Sequence, residues 1–308
     1  MTFHLQALNG WIDVQLETSL VQVVKQLEWI EVKQCGSIPD SRDGHSLSSI
    51  GSDLYLHGGK NHPDAKKCLP GTFKFDTVNQ HWVKCERNGP EPMTLCHDTA
   101  VARGNLYVIG GIIHGKASNN IYLFQPSSST WTLLHTHGEI PTPRCDHRCS
   151  AVDSRIYLFG GCHGYQLFLN DLYVLDTDSL VWTKPEVKGE VPCKRGSHSF
   201  TAHSDKDLYV FGGLGVVGTS DVILNDLYKL SIDTLKWKQP FFISEPPTNR
   251  FNHSAIIYKN HLYVIYGTNE DDDLFDVSVT RLINPSQRKP LKLPPDEVHS
   301  LLQKTNKR

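Results

Sequence analysis

Apolar residues in this chain come in short runs closed by glycine: "LYLHGG" at 54–59, "LYVIGG" at 106–111, "IYLFGG" at 156–161, "LYVFGG" at 208–213 and "LYVIYG" at 262–267. Each run is rich in β-branched and aromatic residues and is bounded by turn formers, which predicts a strand. A stretch such as "HSLSSIG" at 45–51 precedes the run, predicting an antiparallel pair with a tight turn. The paired glycines let the backbone pass where a Cβ would clash. "NDLYVLD" at 170–176 supplies a third strand and "VWTKPEV" at 181–187 a fourth, which ends where proline has no N–H to donate. Such a four-stranded unit cannot bury both faces alone, so units must stack on one another.

The pattern recurs at a period of about fifty residues, the length of one repeat unit of this kind. Tryptophans stand at 29, 82, 131, 182 and 237. Seven residues after each comes Gly36, Gly89, Gly138, Gly189 or, the last time, Ser244. Three further on is Pro39, Pro92, Pro141, Pro192 or Pro247, then Arg42, Leu95, Arg144, Arg195 or Arg250. Another three residues give His45, His147, His198 and His253, with Asp98 in the second copy and His97 one place early. Nine residues before the next tryptophan stands Phe73, Tyr122, Tyr173 or Tyr228.

The double glycine, the Tyr of "LY" and the Trp at fixed distance resemble the kelch family of β-propellers, from Trp29 to about Leu282. The resemblance implies an all-β fold of four-stranded blades around an axis, with Trp and Tyr burying large apolar area between sheets. Five repeats are clear. A sixth blade is expected from residues 1–28, where "FHLQAL-NG-WIDVQL" reads as a hairpin with an Asn-Gly turn. In the alternative, five-bladed closure, the strand around Trp29 completes the fifth copy. The expected organisation is a degenerate first blade or closing segment over 1–28, a propeller over 29–284, and a basic tail with room for a short helix over 285–308.

Composition changes this picture little. With 39% apolar and 21% charged residues among 308, and a net charge of -2, the chain reads as a soluble globular protein. No global field favours nucleic acid or an anionic membrane as partner. No apolar run is long enough to span a bilayer, and the start lacks the marks of a secretory signal. Eight irregularly spaced cysteines do not form a disulfide framework. The expectation is a cytoplasmic, or alternatively nuclear, monomer.

"PTPRCDHRCS" at 141–150 offers Cys145, His147 and Cys149 as soft ligands. Yet His147 is the third copy's version of His45, His198 and His253, so the repeat dictates it. A fourth ligand and a second Cys pair are also wanting. The expectation is therefore no metal and no cofactor. The acidic run "NEDDDLFD" at 269–276 lacks the spacing of a calcium loop and reads as a solvated rim.

Loop lengths locate the binding face. From the second glycine to the third-strand aromatic the gaps are 14, 11, 12, 15 and 8 residues, while proline-to-glycine spacing barely changes. Variable loops on a constant scaffold carry binding. The connections between second and third strands share a face with those from the fourth strand to the next copy, where Arg42, Arg144, Arg195 and Arg250 stand. Two roles are open to these arginines: gripping an acidic group of a partner, or tying down backbone carbonyls. The candidate partner-binding residues are these four with Lys60, Asn61, His62, His114, His163 and Tyr165.

Most kelch propellers are non-catalytic interaction modules, and the "W…G…P.PR..H" wording resembles that of kelch effectors of Rab GTPases. The reading is thus a module that binds a protein or peptide, with a role in trafficking. The alternative is a substrate receptor of a cullin ubiquitin ligase, suggested by "LKLPPDEVHSLL" at 291–302 but lacking the Leu-x-x-x-Cys element that engages elongin. A kelch-fold enzyme is a second alternative. The chain has neither the Glu-x-x-x-Asp-x-x-x-His run of the iron-dependent type nor an evident general acid–base pair, so no enzyme is expected.

Overall fold

The computed structural model describes residues 2–7, 10–15, 33–61, 68–95, 97–164, 167–204, 206–242 and 245–282. The expectations for Trp29, His62, Tyr165 and the 285–308 tail lie outside the described residues. Among them every regular element is a strand. Among the described residues no helix is long and apolar enough to cross a membrane.

Among the described residues five antiparallel blades follow one another, the smaller of the two counts expected. Blade three shows the plan: Arg148–Val152, Arg155–Phe159, Leu172–Asp176 and Val181–Thr183 run from the innermost strand outward. Ser150 pairs with Tyr157, Tyr157 with Val174, and Leu175 with Trp182. Blade one (43–84), blade two (98–134) and blade four (199–238) repeat it, while blade five (254–281) has three strands among the described residues. A hairpin of Thr2–Ala7 and Gly10–Gln15 pairs with no other described strand. Gly10 pairs with Ala7 as the first residue of the second strand, not as the second residue of the turn that the sequence predicts.

Cohesion lies between blades. Tyr107, Ile109 and Ile121 of blade two pack with Ile156, Leu158 and Trp182 of blade three. Phe159 and Leu172 of blade three meet Phe200, Val210 and Trp237 of blade four. Trp131, Trp182 and Trp237 are buried, and truncating any of them to alanine is expected to cost about 3–5 kcal/mol.

The repeating glycines and histidines are cross-blade contacts. Gly138 has φ +81°, and a Cβ there would lie 2.3 Å from the Trp182 carbonyl oxygen. The glycine after one blade's tryptophan is thus placed against the next blade's tryptophan. The two residues Lys188–Gly189 likewise pair in parallel with Lys236 and Trp237 of the following blade. A Cβ on Gly110 would lie 2.8 Å from His147 Cε1, so the histidine ring occupies the space that the preceding blade's glycine leaves open.

Copy two departs from the repeat as aligned by sequence. Leu95 bridges Ile112 just as Cys145 bridges Cys162, so Thr94, not Leu95, holds the arginine position. His97 is in register after all, because one residue is missing between Gly89 and it. The inner strand Asp43–Ile50 of blade one and the strands of blade five mark the two ends of the described ring. There Leu47, Ile256, Tyr258, Val277 and Val279 are exposed.

Candidate functional site

Three of the four arginines are interior. Arg144, Arg195 and Arg250 are 1%, 0% and 0% exposed. Arg195 Nη1 donates to the Gly212 carbonyl at 3.1 Å and to Asp226 Oδ1 at 2.6 Å, and Nη2 donates to Asp226 Oδ2 at 2.8 Å. Its Nε donates to the Cys193 carbonyl. Arg144 repeats this with Gly160 and Asp171, and Arg250 with Tyr266 and Asp276. Each pair is a bidentate fork, the strongest geometry open to arginine and carboxylate. The hydrogen bonds from Arg250 hold the Asp276 carboxyl below its ordinary value. The backbone joins the same scheme: the Arg144, Arg195 and Arg250 carbonyls accept from Gly111, Gly161 and Gly213 N–H of the preceding blade.

This corrects the partner-contact assignment for Arg144, Arg195 and Arg250. A guanidinium enclosed by carbonyls and its own carboxylate presents no donor face to a ligand. The acids at 270–273 are exposed, in keeping with a solvated rim, while Asp276 at the end of that run pairs with buried Arg250. The signal was in the sequence: Asp171 and Asp226 stand two residues before Tyr173 and Tyr228, and Asp276 two before Ser278, which takes the same place in the blade-five strand.

Arg42 is different. It is half-buried, donates to the Asp40 and Gly58 carbonyls at 3.1 and 2.9 Å, and lies over the Phe73 ring. Gly71 stands where blades three, four and five place aspartate. Desolvation pulls the Arg42 pKa down, with Asp40 opposing it.

Blades one and two use a network centred on Thr72 instead. Thr72 Oγ1 is 3.1 Å from His57 Nδ1, donates to Glu91 Oε1 at 3.1 Å and accepts from Trp131 Nε1 at 3.3 Å. Around the axis His97 Nε2 lies 3.2 Å from Ser46 Oγ and His253 Nε2 3.0 Å from Ser199 Oγ. Burial lowers the His147 and His253 pKa to about 3 and that of His97 to about 4. A general base needs a pKa near working pH, so these histidines are poorly suited to proton transfer.

The remaining candidates lie on the predicted loop face. Asn61, His114 and His163 are exposed. Lys60 is the last residue of its strand and pairs with Asp43. His163 Nδ1 lies 2.7 Å from the Pro143 carbonyl. The connections expected as loops are hairpins: Ile112–Ile113 with Lys116–Ala117, and Cys162–His163 with Leu167–Phe168. In blade four the second and third strands run on as Asp207–Val217 and Ser220–Ser231, turning at Gly218. These connections carry exposed apolar side chains without a signal in the repeat: Leu167, 63% exposed, and Val217, 56%, flank the turns, and Phe275, 81%, stands at the root of the blade-five connection beside Tyr266.

"CDHRC" separates in space. The His147 ring packs on Gly110, and Cys149 joins the core between blades two and three. Cys145 meets Cys162 instead, with Sγ atoms 3.3 Å apart.

The architecture is that of a propeller whose blades carry glycine pairs, an inward histidine and an outer tryptophan. The model for the KLHDC2/KLHL20/DRC7 Kelch-repeats domain matches residues 13–213 and 96–289. The chain belongs to the kelch-repeat family. It is 26% identical over 268 residues to acyl-CoA-binding domain-containing protein 4 of Arabidopsis thaliana, covering 82% of this chain and 38% of that one. It is 30% identical over 273 residues to human host cell factor 1, covering 81% of this chain and 13% of that one. The chain spans less than half the length of these curated relatives.

Proposed function

We propose that this chain is a non-catalytic protein-interaction module that holds a protein or peptide partner on the face formed by the hairpins after each glycine pair. One observation carries the reading: Leu167 and Val217 stand exposed beside the hairpin turns of blades three and four, and Phe275 stands exposed on the connection of the next blade, at its root beside Tyr266. Large apolar side chains gathered on one rim mark an interaction surface. Asn61, His114 and His163 add polar groups between them, in the mixed character of a binding rim. An acidic group of the partner finds one half-buried arginine, Arg42, rather than a ring of four.

The test is capture of cellular partners on the full chain, followed by the same capture with Leu167→Glu, Val217→Glu and Phe275→Glu combined. All three side chains are solvent-exposed, so circular dichroism and the melting temperature should stay unchanged while a recurrent protein partner is lost. Retention of that partner by the triple variant overturns the assignment of the face. The identity of the partner sorts the finer readings. The wording of the repeats favours a trafficking effector, which recovery of a Rab-type GTPase supports. Recovery of a cullin with elongin moves the chain to the ubiquitin-ligase class.

A further inference from the structure

Cys145 and Cys162 face each other across the bridge that links the start of blade three to its first glycine pair. Cys145 N–H donates to the Cys162 carbonyl at 3.0 Å, and Cys162 N–H to the Cys145 carbonyl at 2.8 Å. Both are buried, 6% and 7% exposed. The Asp146 carboxylate closes the group, with Oδ2 at 3.5 Å from each sulfur. Together the three ligand atoms lie within 4.8 Å of one another.

The dimensions have a chemical meaning. Tetrahedral zinc with Zn–S of about 2.3 Å and Zn–O of about 2.0–2.2 Å requires roughly 3.8 Å between sulfurs and roughly 3.6 Å between sulfur and oxygen. The observed triangle of 3.3, 3.5 and 3.5 Å is one face of that tetrahedron, slightly contracted. Opening it by half an ångström at the sulfurs is within the reach of χ1 rotation.

The fold does not demand these residue types. At the position of Cys145 the other blades carry Asp43, Leu95, Gly196 and Phe251, and at that of Cys162 they carry Lys60, Ile112, Leu214 and Thr268. The backbone at Asp146 has φ 54°, matched by 53° at Ser197 and Asn252. The repeat thus fixes the left-handed turn and leaves the side chain open. Aspartate tolerates that conformation better than most residues and turns its carboxylate toward the two sulfurs.

We propose that Cys145, Asp146 and Cys162 bind a soft divalent metal ion, zinc by preference, with the fourth coordination position open on the hairpin face. Two thiolates select zinc over magnesium or calcium, and three protein ligands with an open position describe an exchangeable rather than a closed structural site. Binding displaces one proton from each thiol, so affinity rises with pH. The site stands independently of the partner-binding reading.

The experiment uses the full chain, reduced and metal-free, titrated with Co²⁺ and then Zn²⁺. One equivalent of Co²⁺ should give tetrahedral visible bands and a thiolate-to-cobalt charge-transfer band in the near ultraviolet, both abolished by Zn²⁺. Zinc should protect Cys145 and Cys162, and neither Cys68 nor Cys85, from alkylation mapped by peptide mass spectrometry. Cys162→Ser should lose the charge-transfer band. Asp146→Asn, which keeps the left-handed turn, should lower affinity at least tenfold. A cobalt spectrum without thiolate character, zinc that protects other cysteines, or a Cys145–Cys162 disulfide that forms equally fast with saturating zinc overturns the proposal.

Discussion

Blades three and four and blades one and two are cut to the same backbone plan but are locked by different chemistry. In blades three and four a buried arginine clamps its own aspartate and the carbonyl of the first glycine, with Arg195 and Asp226 2.6 Å apart. Blade one keeps Arg42 without the aspartate, and blade two has Thr94 and Asn120 in the two places. There the inter-blade seam is held by His57, Thr72, Glu91 and Trp131. The lesson is that a repeat keeps a geometric need, here an ordered turn beside the glycine pair, and that either an arginine–aspartate pair or a network centred on threonine can meet it. Asp171, Asp226 and Asp276 accompany Arg144, Arg195 and Arg250. Where the carboxylate is lost, the arginine is left half-exposed or replaced.

The largest effect should come from breaking one lock and leaving its partner in place. Arg195→Ala strands Asp226 and the Gly212 carbonyl, and removing one member of a buried pair costs about 3–5 kcal/mol. Arg42→Ala, which strands no carboxylate, should cost about 1 kcal/mol. Urea unfolding of both variants measures the gap, and equal costs would dissolve the distinction between the blades.

Acid should weaken the whole ring. His57, His147 and His253 have pKa values lowered to about 3, with burial as the main cause. Below their ordinary value of about 6.5 the unfolded chain takes up protons that the folded one refuses. Stability therefore falls as pH drops from about 6.5 toward 3, by about 1.4 kcal/mol per pH unit for each such histidine. The Asp276 carboxyl, held down by Arg250, adds a loss in the same direction at lower pH. A melting temperature unchanged between pH 7 and pH 5 would contradict this.

Thr72→Val converts blade one toward the apolar residue that Leu172 and Leu227 supply in blades three and four. It removes the acceptor of Trp131 Nε1 and the donor to buried Glu91, at an expected cost of about 1–3 kcal/mol. A neutral result would show that the network fills space without bonding strength.

The finest discrimination is between tryptophans. Trp131 Nε1 has a partner in Thr72, while Trp182 Nε1 and Trp237 Nε1 are buried with none among the described residues. Trp131→Phe should therefore cost about 1 kcal/mol more than Trp182→Phe, read as a difference in unfolding midpoints.

By itself the sequence determined the strands, their four-fold grouping, the stacking of the units, and the face on which the connections vary. All of these follow from period and local backbone preference: glycine pairs for left-handed turns, alternating apolar runs for half-buried strands, tryptophan at a fixed distance for the seam. The structure alone decided which side chains meet. Gly138 was legible as a turn residue, but its contact with Trp182 joins residues of adjacent blades. Arg144 was legible as a repeated cation, but its burial depended on Asp171, 27 residues away. Cys145 stood four residues from Cys149, yet the bridge across the glycine pair delivered it to Cys162. A repeat repeats its neighbours' surfaces as well as its own, and those surfaces come together only when the blades pack.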